Sequence, residues 1–461
     1  MTAITSSEAH LARRLGLFDT TMIVMGGIIG SGIFINPYVV AQQVPSKVLI
    51  LGAWAFGGLI ALAGAFIYAE LSSQMSASGG QYVYLRDAFH PALAFVYGWA
   101  LLLVTQTGGM AAVAVTFAKY ACSLGDAQAS DNFAAFLAAL ALTILTIINC
   151  LGVRAGSTTQ NVLMILKLVA IAALVAFGLT VTGAPTSAIA TPSAVASGGS
   201  TLSPPGVWNS LIAFGAALIP VQFAYGGWQT SCFVAGEVRE PRKNLPRGLL
   251  LGVVSVIAVY LSVNFVCVHA LGPQGLGQTT TPASAVMRLA LGESGARIIA
   301  IGIAVSTVGF LSQSMLTAPR VYFAMAEDGL FFTSLAKLNR ARVPAFAIAL
   351  QGALAIVITL SGRYEQILNY VISVDVIFFA LTAATVFVFR RRAKTNPSLL
   401  KASPARTPGH PFTTLFFIVA CGGVAFSTLY RYPHNSLIGL GIMLTGLPAY
   451  LFWKTRGSAS R

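Results

Sequence analysis

Gly26-Gly27-Ile28-Ile29-Gly30-Ser31-Gly32-Ile33-Phe34 lies in the middle of the first long apolar run of this chain, near residues 17–40. Each glycine in a helix interior costs up to ~1 kcal/mol relative to alanine, so four of them are unfavourable where a continuous span would serve. Close helix packing through small residues is one explanation of such a cluster. A second cluster, Phe223-Ala224-Tyr225-Gly226-Gly227-Trp228, interrupts the sixth apolar run. Glycine-interrupted segments at corresponding positions of two halves point instead to a binding site at the bilayer midplane. A broken helix exposes N–H groups at one stump and C=O groups at the other. The N–H end attracts a carboxylate and the carbonyl end an ammonium group. Two broken helices can therefore hold both ends of a zwitterion without a charged side chain, which is what an α-amino acid requires.

The rest of the chain fits a membrane setting. Of 461 residues, 56% are hydrophobic and 9% charged, with a mean hydropathy of +0.78. A soluble domain carries about 25% charged residues, so a soluble enzyme is excluded. Apolar runs predict twelve spans of ~20 residues, near 17–40, 48–71, 92–118, 133–152, 160–182, 207–234, 248–271, 296–325, 344–361, 366–389, 412–430 and 435–453. Arg13 and Arg14 precede the first run as in a signal peptide, but the run is too long and has no cleavage site before a polar region. No HExxH, GxxxxGK[ST] or GxSxG pattern occurs, so nothing points to hydrolysis or nucleotide binding. The uncharged stretch 183–206 predicts an outer loop.

Net charge is +15, from 28 Lys and Arg against 13 Asp and Glu. With the N-terminus in the cytoplasm, 21 basic residues fall on the inner side and six on the outer, Lys167 lying within a span. That bias predicts a cell-membrane protein with both termini cytoplasmic. The basic excess then reports topology, and a nucleic-acid partner is not expected. Cys122, Cys150, Cys232, Cys267 and Cys421 are scattered and odd in number, with neither metal-ligand spacing nor a disulfide framework. No metal or cofactor is expected.

At these motifs the chain resembles the amino acid–polyamine–organocation superfamily, and within it the L-type amino acid transporters. Gly30-Ser31-Gly32 and Phe223 to Trp228 carry the resemblance, with Glu70-Leu71 and Ser78-Gly79-Gly80-Gln81-Tyr82 after the second span. Asn149 to Arg154 and the stretch Glu237 to Pro246 add to it. The likeness covers about residues 15–392, and Gln81 departs from it where the family usually has an acid. It implies an all-α membrane protein of twelve helices, an inverted five-plus-five repeat with broken first and sixth helices, plus two extra C-terminal helices. The expected organisation is a tail (1–16), a ten-helix core (17–392), a basic loop (393–411), helices 11 and 12 (412–453) and a second tail (454–461). The resemblance further implies that the N–H groups of Ser31 and Gly32, with the Ser31 hydroxyl, bind the substrate carboxylate. Carbonyls of Ile28, Phe223 and Gly226 would receive the ammonium group, and the Phe223 ring would cover the substrate.

Two ionisable residues stand inside spans. Lysine at mid-membrane costs roughly 2.5–3.5 kcal/mol by insertion scales, so Lys167 is expected to face the bundle interior with partners. Snorkelling to the inner face is the plainer alternative. The functional reading is an ammonium bridging the broken first helix and the hydroxyl of Ser306 on the eighth, where sodium-coupled relatives of the fold place a sodium ion. Asp375 aligns with a side-chain pocket of the L-type family. Three roles stay open for it: selecting a polar or cationic side chain, coupling to protons, or a hydrogen-bonded structural acid. Glu70 and Asp19 are expected to be structural, Glu70 ending the second helix at the cytoplasmic face and Asp19 as a helix N-cap. Trp228 reads as a core aromatic, with lining the substrate as the alternative. Thr105 and Gln106 are candidates for the central cavity. Arg320, Glu327 and Asp328 read as gate ion pairs or as a solvated charge run.

The favoured function is sodium-independent exchange of small neutral L-amino acids by alternating access, without covalent chemistry. A proton-coupled carrier of cationic amino acids or polyamines is the alternative, and an amino acid receptor that moves nothing is the alternative of another class. A homo-oligomer is compatible with the sequence; an accessory glycoprotein is not expected.

Overall fold

In lipid, an apolar run satisfies its own N–H and C=O groups only as a helix or a closed barrel. The computed structural model describes residues 13–75, 77–122, 124, 130–181, 207–361, 364–395 and 405–459. Within them the regular structure is helical, apart from one isolated bridge between Leu15 and Val238. The expected loop at 183–206 lies outside the described residues.

The first span is two helices, α1 (Leu17–Ile28) and α2 (Gly32–Gln43), separated by Ile29–Ser31. Next come α3 (Lys47–Gln74), a short α4 (Gln81–Ala88), and a third span made of α5 (Pro91–Ala100), a π turn (Leu101–Thr105) and α6 (Gln106–Cys122). The fourth and fifth spans are α7 (Asp131–Cys150) and α8 (Val153–Gly178). The sixth is α9 (Val207–Tyr225), a break at Gly226–Gly227, and a 3₁₀ segment (Trp228–Glu237). Then follow α10 (Pro241–Gln278), α11 (Pro282–Thr317), α12 (Pro319–Glu327), α13 (Ala345–Ser361) and α14 (Tyr364–Thr395). The chain ends in α15 (Phe412–Arg431), α16 (Pro433–Leu444) and α17 (Gly446–Ala459). Among the described residues eleven helical stretches are long and apolar enough to cross a bilayer, and Ala345–Leu360 is a further, shorter apolar helix. The twelfth expected span is a kinked pair, α16 and α17, meeting at Thr445.

Burial separates centre from periphery. The most apolar windows of the first and third spans are each 83% buried, against 22% for the fourth. The two glycine-bearing breaks meet at that centre, backbone against backbone. A Cβ on Gly227 would sit 2.0 Å from the Gly27 carbonyl oxygen, and one on Gly32 would sit 2.9 Å from the Cα of Ala224. Gly227 also has φ +106°, a conformation that side-chain-bearing residues rarely adopt.

Several expectations change here. Asp19 is not the N-cap: α1 starts at Leu17, so Asp19 is its third residue and its carboxylate accepts from the Gly16 N–H at 2.9 Å. Glu70 does not end its helix, which runs on to Gln74. Its carboxylate accepts two bonds from Arg390 and one from the backbone N–H of Thr407. The second break is narrower than 223–228, because Phe223 still belongs to the last turn of α9.

Candidate functional site

Where the breaks meet there is a cavity of about 70 Å³. Ile28, Ser31 and Gly32 line it from the first break, Phe223 and Gly226 from the second, and Asp375 from α14. These six residues, expected to bind substrate, thus converge on one chamber. Thr105 and Gln106 line it as well, from the third span.

One wall is donor-rich. The first N–H groups of a helix have no partner within it, and at α2 these lie beside the cavity. The Ser31 hydroxyl is fully buried with no hydrogen-bond partner among the described residues. Positive dipole, open N–H groups and a spare hydroxyl are groups that attract an anion such as a carboxylate. Phe310 packs over this wall: a Cβ on Gly30 would lie 3.0 Å from its ring. Across the chamber, Asp375 is the one acidic side chain lining it among the described residues.

The carbonyl side differs from expectation. The Ile28 carbonyl already accepts from the Gly30 N–H (2.9 Å) and from the Tyr260 hydroxyl (3.0 Å). The same hydroxyl lies 3.0 Å from the Ala224 carbonyl in the other span. The Gly226 N–H donates to Gln222, and the Gly227 carbonyl accepts from the Thr230 hydroxyl at 2.6 Å. The stumps are therefore satisfied in part by side chains, as broken membrane helices require.

Lys167 and Ser306 stand outside the chamber. Lys167, on α8, is fully buried, and its ammonium Nζ donates to the carbonyl of Ile29 within the first break. This excludes the snorkelling alternative. The second leg is not made: the Ser306 hydroxyl is buried without a hydrogen-bond partner among the described residues. Lys167 approaches α11 at Gly309, where a Cβ would lie 3.7 Å from Nζ.

Residues that sequence reasoning passed over complete the site. Tyr260 ties the two breaks, and Gln313 lines the cavity while donating to Thr230 at 2.7 Å. Gln160, fully buried with neither amide atom partnered, lies under Gly26, where a Cβ would meet its nitrogen at 1.9 Å. The available signal was polarity inside apolar runs, SVIAVYLSVNF for Tyr260 and FLSQSML for Gln313. Nothing in those runs shows which face points inward. Trp228, as expected, is core: it stacks on Phe379 at 5.5 Å and meets Tyr68 edge-on at 4.7 Å.

The charged end of the bundle forms ion pairs, not a solvated run. Arg320 is fully buried and donates to Glu237 at 2.8 Å. Asp328 accepts from Arg86 at 2.6 Å and from the Tyr82 hydroxyl at 2.7 Å. Burial and then the Asp328 carboxylate push the Tyr82 phenol well above its ordinary range. Burial opposes the Arg86 charge, but bonds to Asp87 and Asp328 more than offset it and raise its pKa. Glu327 is exposed. Arg14 and Leu15 donate backbone N–H groups to the Glu237 carbonyl, so the start of the first span is fastened to the end of the sixth.

Buried breaks in two apolar spans, closing on one small chamber of apolar walls and a few polar groups, define a membrane carrier for a small solute. The sequence profile described as amino acid permease matches residues 15–447, and the chain belongs to that family. It is 30% identical over 457 residues to the serine/threonine exchanger SteT of Bacillus subtilis (strain 168), covering 98% of this chain and 99% of the relative. It is 31% identical over 460 residues to the large neutral amino acids transporter small subunit 2 of Mus musculus, covering 96% and 82%. The b(0,+)-type amino acid transporter 1 of Mus musculus is 29% identical over 386 residues, covering 82% and 76%.

Proposed function

We propose that this permease exchanges small neutral L-amino acids by alternating access, without sodium. The observation that carries this reading is the chamber itself: a helix start with a spare Ser31 hydroxyl faces it from one break, and the second break closes it. Its modest volume favours a small substrate, in keeping with the name of the serine/threonine exchanger, while the name of the mouse relative, a large neutral amino acids transporter, supports a neutral one. Ser31 and Gly32 take the carboxylate. The ammonium group sits toward Phe223 and Gly226, and reaches the Ile28 carbonyl in competition with Tyr260. Lys167 supplies a fixed cation to the broken first helix, so no coupling ion is needed there. Residues 17–392 form the moving core as two inverted halves, and both termini lie in the cytoplasm. Occupancy shifts the population between outward- and inward-open forms through differential affinity.

Asp375 favours a specific second reading, a carrier of cationic amino acids. Trans-stimulated efflux from proteoliposomes separates the two. Labelled serine loaded inside is expected to exchange for external serine, threonine or alanine with no sodium or proton gradient, and poorly for lysine. Flux that needs a proton gradient, or lysine as the preferred substrate, would sink the neutral exchanger. Asp375→Asn is expected to lower exchange of serine and threonine relative to alanine at least several-fold, since a carboxylate accepts a hydroxyl proton more strongly than an amide does.

A further inference from the structure

A second concavity has no part in the chamber. It opens on the outside of α3 and α15, is lined by Leu59, Leu62, Phe66, Phe412 and Phe416 among others, and has a volume of about 520 Å³. Pro408 and Gly409, at the end of the connection between α14 and α15, and Phe412 and Thr413, in the first turn of α15, form its rim. That rim is fixed in place. The Thr407 N–H donates to Glu70 at 2.7 Å and the Thr407 hydroxyl to the Phe66 carbonyl at 3.3 Å. Arg390 already neutralises Glu70. The neighbouring Arg406 is exposed, with no acidic side chain paired to it among the described residues.

The charge of the C-terminal part of the chain is one-sided. Beyond Asp375 the chain has ten Lys and Arg and neither Asp nor Glu. Hydrocarbon alone fills any lipid-facing groove, but an exposed arginine with no acidic partner among the described residues, two positions before Pro408 of the lining, adds a demand for an anion near one end.

We propose that this groove is a binding site for an anionic glycerophospholipid of the cytoplasmic leaflet, an acyl chain lying along Leu62, Phe66 and Phe416 and the phosphate meeting Arg406. The inference rests on the cytoplasmic placement of the α14–α15 connection. It does not depend on which amino acid is carried, and its test reads binding, not flux.

The full chain in detergent would be titrated with phosphatidylglycerol or phosphatidylcholine of identical acyl chains, and retained lipid counted by native mass spectrometry. One phosphatidylglycerol per chain is expected to be held about five-fold more strongly than phosphatidylcholine, the worth of one surface arginine. Arg406→Gln should bring the two lipids near parity, whereas Arg431→Gln, at the other end of α15, should leave the preference intact. Leu62→Trp, which fills the groove, should lower retention of both. Equal retention of the two lipids by the wild type, or a preference that survives Arg406→Gln, would overturn the proposal. As a measurement independent of variants, a photoactivatable phosphatidylglycerol should crosslink within peptides containing Phe66 and Phe412. Crosslinks confined to other peptides would overturn it too. Lipid retention without exchange would leave this site standing and remove the transport reading; exchange without selective retention would do the reverse.

Discussion

Lys167 shows how much one side chain can carry. A buried ammonium needs a partner to offset its desolvation, and it finds the Ile29 carbonyl, an acceptor that exists because the first helix is broken. The break and the lysine therefore stabilise each other. Lys167→Ala is expected to reduce serine exchange at least ten-fold while the purified protein stays folded, read by trans-stimulated flux beside thermal denaturation in detergent. Lys167→Gln keeps a donor but removes the charge, so recovery by glutamine would assign the role to the hydrogen bond and failure would assign it to the cation. Undiminished exchange in the alanine variant would leave the lysine a structural role only. That this residue matters was legible from its place in an apolar run. Its partner was legible only in part, because the expected bridge to Ser306 depends on a side-chain reach that spacing does not encode.

Among the elements, the spans follow from hydropathy, but the extent of each break does not. Both glycine clusters were visible in the sequence, whereas the gaps narrow to Ile29–Ser31 and Gly226–Gly227 because helical bonds persist as far as packing allows. Gly227 is the closest approach of one break's backbone to the other's, combining positive φ with a Cβ position 2.0 Å from a backbone oxygen. Gly227→Ala is therefore expected to destabilise by about 1–3 kcal/mol from backbone strain alone, before the clash, and to abolish exchange. Gly422→Ala is the control: it lies in α15 with nothing within 4 Å of the added methyl, where alanine in place of glycine favours a helix by roughly 1 kcal/mol. Melting temperatures of the two variants should move in opposite directions. A Gly227→Ala protein as stable and active as the parent would show that the breaks do not need this close approach.

The whole molecule is fastened at its charged end by contacts that join distant parts of the chain. Glu237 and Arg320 are both fully buried, and only one oxygen and one nitrogen of the pair meet, leaving Glu237 Oε2 and both Arg320 terminal nitrogens without partners among the described residues. Removing one partner of a buried ion pair costs about 3–5 kcal/mol because it strands the other charge, while replacing both with apolar groups is often neutral or stabilising. Arg320→Met is expected to lower the melting temperature markedly, and Arg320→Met with Glu237→Leu to restore most of it. Additive losses in the double variant would mean that the two residues act separately. Sequence showed Arg320 as charged and near an end, yet its partner lies 83 positions away, and pairing over that distance is set by helix packing, not by any local pattern.

Tyr260 has a further consequence. Its phenol carries a single hydrogen, and two carbonyl oxygens from opposite halves of the protein stand equally near it. It can serve one of them well or both badly. An incoming amine that claims the Ile28 oxygen would release the proton to Ala224, so the arrival of cargo at one broken helix would be felt as a tighter grip on the other, with no moving part larger than an O–H rotor.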